Sequence, residues 1–182
     1  DDVGCWHVPN RFFEEMRNAG IEVRSFLKVR FPLFTSRVNY RNHRKIVVID
    51  GRIGFVGGMN LAERYMRGFS WGIWRDTHIL IEGKAVHGLQ TAFLLDWYFV
   101  DRTLITASRY FPKIESCGSS LVQVVTSEPI GPWKEIMQGL TMAINGAKKY
   151  FYMQTPYFLP TEQVLAAMQT AAPVSYTHLR AH

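Results

Sequence analysis

The chain has 182 residues, enough for one domain and part of another. With 47% hydrophobic and 20% charged residues it has the composition of an ordinary globular protein, which excludes extended disorder, a collagen-like repeat and a small disulfide scaffold. Lys and Arg number 21 against 15 Asp and Glu, and the net charge of +6 points to anionic partners: nucleic acid, an anionic membrane or a phosphorylated substrate.

The chain opens Asp1-Asp2-Val3 and reads as a piece of a longer polypeptide. Arg11 to Ala19 predicts a short helix that Gly20 ends. Ile21 to Val29 is strand-like, and Phe31 to Arg41 is a basic loop around Pro32. Lys45 to Ile49 and Ile53 to Val56 are two β-branched runs on either side of Asp50-Gly51, the signature of a β-hairpin. Gly57-Gly58 leads into a helical turn near Leu61 to Tyr65, then an aromatic loop at Trp71 to Arg75. Thr77 to Glu82 is the next strand, stopped by Gly83. Lys84 to Asp101 has helical spacing, with Val86, Leu89, Phe93, Trp97 and Val100 on one side. Arg102 to Ser120 reads as linker, Leu121 to Thr126 as a strand and Glu128 to Pro132 as a Pro/Gly loop. Trp133 to Asn145 is a helix capped by Gly146, Lys149 to Gln154 a strand, and Thr161 to Ala172 a helix with Thr161 as N-cap.

Pro173 to His182 breaks that helical pattern and resembles a translated sequencing adapter, so it is set aside from fold and function. The best apolar run, Thr91 to Val100, contains Asp96 and falls short of the roughly 18 apolar residues of a membrane span. Two cysteines, Cys5 and Cys117, make no disulfide framework and lack metal-ligand spacing. Strands that alternate with helices predict an α/β class with a mixed sheet.

The chemistry concentrates in Asn42 to Asn60. On a strand, residues two apart point the same way, so His43 and Lys45 share a face. A neutral imidazole beside an ammonium suits a nucleophile that attacks a phosphate already held by a cation. Gly57 and Gly58 allow close backbone approach and Asn60 adds an amide donor. A lone His-x-Lys is usually a solvated surface pair; here it belongs to the longer pattern His-x-Lys-x4-Asp-x6-Gly-Gly-x-Asn. Arg24, Lys28, Arg30, Arg37, Arg41 and Arg44 gather before it, with Phe31, Leu33 and Phe34 among them. Such a mixture fits an anionic bilayer surface or nucleic acid.

This pattern, with Tyr65, Trp74-Arg75-Asp76 and Gln154-Thr155-Pro156-Tyr157-Phe158-Leu159-Pro160, resembles the phospholipase D superfamily in its bacterial cardiolipin synthase branch. The resemblance implies a phospholipase D-like mixed sheet flanked by helices: residues 1–110 as a first catalytic half, 111–120 as linker and 121–172 as the start of a second. His43 would be one of two active-site histidines, nucleophile or general acid. Lys45 and Asn60 would hold phosphodiester oxygens beside Gly58. Asp50 completes the motif and is counted with the catalytic set. Its odd offset from His43 turns it to the other face of a regular strand, so a structural role at the Gly51 turn is expected of it. A carboxylate on the second ring nitrogen is needed to orient His43, and Asp76 is the candidate. His78 shares Asp76's face and is a candidate to line the site, but a place in the core or in support of the site is the expected one. Glu128 stands where a glycine is expected.

The activity implied is transfer of a phosphatidyl group between two phosphatidylglycerol molecules, with release of glycerol through a phosphohistidine. The implied partners are anionic phospholipid, the surface of the bacterial inner membrane and a second catalytic half, without nucleic acid, cofactor or metal. The chain alone is expected to be inactive. Alternatives are phospholipase D-type hydrolysis, a dimeric single-motif nuclease, and a non-catalytic membrane-binding domain.

Overall fold

A computed structural model describes residues 2–28, 40–128, 131–155, 158–172 and 176–181. The chain divides into two units, Asp1–Val124 and Val125–His182, and its class is mixed α/β. The Phe31 to Phe34 aromatics, Arg30, Arg37, Pro156 and Tyr157 lie outside the described residues.

In the first unit, helix α1 (Asn10–Asn18) precedes a three-stranded antiparallel sheet of β1 (Ile46–Ile49), β2 (Ile53–Gly57) and β3 (His78–Glu82). The predicted hairpin forms because Asp50 and Gly51 both adopt positive φ, 52° and 67°, and Arg52 N donates to Ile49 O at 2.9 Å. Gly51 is doubly required: a Cβ there would lie 2.7 Å from Pro112 Cδ and from the Tyr110 carbonyl. Between β2 and β3 sits the short helix α2 (Arg64–Arg67), slightly later than predicted. Helix α3 (Val86–Asp101) then packs on β1 and β2. Val86, Leu89 and Ala92 are buried on its inner face. Gly54 permits this approach, since a Cβ would stand 2.7 Å from Leu89 Cδ1. The other face of the sheet leaves Val47, Ile49 and Leu80 exposed.

Two predicted strands do not form. Residues 21–28 carry no ladder; their side chains hold them to α3 instead, with Phe26 5.3 Å from Phe99 and Arg24 paired with Asp101. Residues 121–126 are likewise irregular, and Val124 packs against Gly88 of α3. In both, side-chain packing on α3 takes the place of ladder pairing, so tertiary contacts override β propensity.

The second unit contains α4 (Glu135–Gly146), β4 (Tyr150–Thr155), α5 (Glu162–Ala171) and β5 (Tyr176–Ala181). Ile144, Val164, Ala167 and Ala171 form its core, with Phe151, Met153 and Met168 around them. Thr161 Oγ1 accepts from Val164 N at 3.4 Å as the predicted N-cap. Gly146 is the last residue of α4 and Ala147 closes it. The segment set aside in the sequence contributes to the fold here: residues 176–181 pair in parallel with β4, and α5 makes the crossover that a parallel pair needs. Among the described residues no helix is long and apolar enough to cross a membrane.

Candidate active site

The site begins at the entry to β1. Ile46 and Val48 are half-buried and Val47 and Ile49 exposed, so the strand has an inner and an outer face. Arg44 has the parity of the inner face and pairs with Asp96 of α3. His43 and Lys45 have the parity of the outer face, and His43 is exposed. Lys45 Nζ donates to the backbone carbonyl of His43 at 2.8 Å, which leaves the ammonium two further protons to donate. The His43 imidazole is held below its ordinary pKa, first by partial desolvation and then by the positive charges of Lys45 and Arg41. A ring so placed stays neutral, with a free lone pair, further into the acid range.

The Gly57-Gly58 turn ends β2 where β3 begins. Gly57 pairs with His78, and a Cβ on it would meet Thr77 O at 2.3 Å and His78 Nδ1 at 2.7 Å. The room above Gly58 is taken by Asp76, whose Oδ1 would be 2.2 Å from a Cβ. Gly58 N donates to Thr77 O at 3.0 Å, and Asp76 Oδ1 accepts from Thr77 N at 2.7 Å. The close approach that Gly58 permits is therefore that of Asp76, and its amide is committed to the sheet. No hydrogen bond joins Asp76 to His43 among the described residues. Among the described residues His78 Nδ1 is buried and has no hydrogen-bond partner.

Asn60 Nδ2 donates to Tyr65 Oη at 2.7 Å. Tyr65 in turn meets Trp74 edge-on with ring centroids 5.9 Å apart, and Phe69 lies between Trp74 and Trp71 at 5.7 and 4.9 Å. Trp74 of the predicted aromatic loop thus packs against Tyr65, the partner of Asn60. Asp50 sits in the hairpin turn at the opposite end of β1 from His43 and is exposed. Among the described residues no three His, Cys, Asp or Glu side chains converge as metal ligands.

The structure thus brings His43 together with Lys45, Gly58 with Asp76, and Asn60 with Tyr65, and places Asp50 apart. The sequence reading missed Asp96. Its carboxylate receives Asn42 Nδ2 at 2.9 Å and the Arg44 guanidinium, the residues on either side of His43. The available signal was a carboxylate beside the apolar stripe of α3, a position that demands a partner.

A mixed α/β unit whose His-x-Lys segment leads into a hairpin and on to a Gly-Gly-x-Asn turn has the features of a phospholipase D-like domain. A family profile described as cardiolipin synthase, PLD-like domain, matches residues 1–97. Over 175 residues the chain is 42% identical to a cardiolipin synthase of Geobacillus thermodenitrificans and 40% identical to one of Listeria innocua, in each case over 94% of this chain. It spans only 35% and 36% of those relatives' lengths. No solved structure matches the chain. The chain belongs to the cardiolipin synthase family of phospholipase D-like proteins.

Proposed function

We propose that this chain supplies the first catalytic half of an enzyme that makes cardiolipin from two phosphatidylglycerol molecules. The observation that carries the reading is His43 beside Lys45 at the entry to β1, its imidazole pushed below its ordinary pKa by partial desolvation and the nearby positive charges. In this reading residues 1–110 form the first half, 111–120 a linker and 121–172 the start of the second half.

His43 attacks phosphorus, the bond from phosphorus to the glycerol headgroup oxygen breaks, and a phosphohistidine forms. A second histidine, from the other half, protonates the leaving oxygen and glycerol departs. The same histidine then takes the proton of a hydroxyl on a second phosphatidylglycerol, whose oxygen attacks phosphorus and frees His43. Lys45 and Asn60 hold the non-bridging oxygens as charge builds on them. Asp76 keeps lone pairs beyond its bond to Thr77, and we assign it the orientation of the site's imidazole. Asp50 is assigned to the hairpin turn, where it fixes the far end of the strand. The substrates are anionic lipids, and the work is done at the surface of the bacterial inner membrane by a part of the protein that need not itself span it.

The test is the product of the full-length protein on phosphatidylglycerol vesicles. Cardiolipin and glycerol in equal amounts support transfer. Phosphatidic acid and glycerol, without cardiolipin, would assign the same site to hydrolysis.

A further inference from the structure

We propose that Asp96 is a positioning residue for His43, acting through Asn42 and Arg44. The proposal rests on His43 being the reactive histidine, but the clamp itself is a matter of geometry. The peptide group between His43 and Arg44 is tied at both ends. Its carbonyl accepts from Lys45 Nζ at 2.8 Å, and its N–H donates to Asn42 Oδ1 at 2.9 Å. That plane governs the direction in which the His43 side chain leaves the backbone.

Asn42 is itself held, because its Nδ2 donates to Asp96 Oδ2 at 2.9 Å. The other oxygen of Asp96 receives the Arg44 guanidinium. Both carboxylate oxygens therefore grip the chain next to His43, across 54 and 52 residues of sequence. The Arg44 and Asp96 side chains are only 24% and 20% exposed, so this is a shielded pair and not a solvated one. The three polar residues line a cavity of about 270 Å³ with Phe93 and Trp97. Its other guanidinium, Arg24, is paired with Asp101, so both cations of the wall are already matched by carboxylates. That balance argues for a scaffold and against an anion site.

The test uses the full-length protein with Asp96→Asn, Asn42→Ala, the double variant and Asp96→Glu. Two readouts are taken: steady-state kinetics, and the pH dependence of His43 modification by diethyl pyrocarbonate, located by peptide mass spectrometry. Displacement of a reacting group by about 1 Å can cost on the order of 100-fold. We expect Asp96→Asn to lower kcat by about that factor with KM changed less than about threefold. The His43 modification midpoint should rise toward its ordinary value as the loosened segment admits water. The double variant should be no worse than Asp96→Asn alone, because both act through one clamp, and Asp96→Glu should recover part of kcat. If Asp96→Asn does not fold, Asn42→Ala, which keeps the Arg44–Asp96 pair, carries the same readouts. A lower melting temperature with unchanged kcat per folded molecule and an unchanged His43 midpoint would overturn the proposal. If His43→Ala leaves turnover intact while the midpoint still moves in Asp96→Asn, the clamp stands and the catalytic role of His43 falls.

Discussion

Replacing Gly58 by alanine tests the contact that joins the Gly-Gly turn to Asp76. The new Cβ would lie 2.2 Å from Asp76 Oδ1, 2.8 Å from Cγ and 2.9 Å from Oδ2, all well inside the roughly 3.5 Å of a relaxed contact. The carboxylate cannot swing away freely, because Oδ1 holds Thr77 N at 2.7 Å. Nor can the backbone retreat without stretching the 3.0 Å bond from Gly58 N to Thr77 O. Overpacking costs about 1–3 kcal/mol, and giving up a hydrogen bond to a charged group costs about 1.5–3 kcal/mol. The cheaper route sets the cost, so we expect about 2 kcal/mol, or roughly a 30-fold shift in the opening equilibrium at ~1.4 kcal/mol per decade. Hydrogen-exchange mass spectrometry on peptides spanning residues 53–82 reads this in the β2–β3 ladder alone. In an Asp76→Ala background the obstruction is gone, and Gly58→Ala should cost less than about 0.5 kcal/mol. Equal costs of Gly58→Ala in the two backgrounds would refute the contact.

Leu89 is 2% exposed and lies over Gly54, so Leu89→Ala should destabilise the first unit by about 2–5 kcal/mol, measured by urea denaturation; a loss below about 1 kcal/mol would contradict α3 packing on the sheet. The His43 pKa, followed by its modification rate, should lie below its ordinary value, and Lys45→Met should raise it because the ammonium is one cause of the depression. The linkage sign follows. A histidine whose folded pKa is lower than its unfolded one binds fewer protons when folded, so stability rises with pH between the two values and is level above the unfolded value, about 6.5. A midpoint at or above that value, or no response to Lys45→Met, would remove the electrostatic argument.

The hairpin was legible because Asp50-Gly51 is a pair that accepts positive φ at both positions. The helix at α3 was legible from its apolar spacing, and Thr161 from its place before the run that follows. The strand expectations for 21–28 and 121–126 fail for one reason. β propensity yields to tertiary contacts, and 21–28 spends its side chains on α3 instead of on a ladder. Residues 176–181, set aside because they break the helical pattern and resemble a translated sequencing adapter, instead pair in parallel with β4.

Within the candidate site, the closeness of His43 and Lys45 follows from their spacing of two. Asp76 could be named, but its contact with Gly58 depends on the β2–β3 register. Asp96 could not be assigned, because a charge beside an apolar stripe announces a partner without saying which, and here the partners lie 52 and 54 residues away.

The most direct test of the account is cardiolipin formation by the full-length protein carrying His43→Ala. The variant should fold as the parent does, because His43 is exposed, and it should make no cardiolipin from phosphatidylglycerol vesicles. Turnover near that of the parent would contradict the assignment of His43 and, with it, the site built around it.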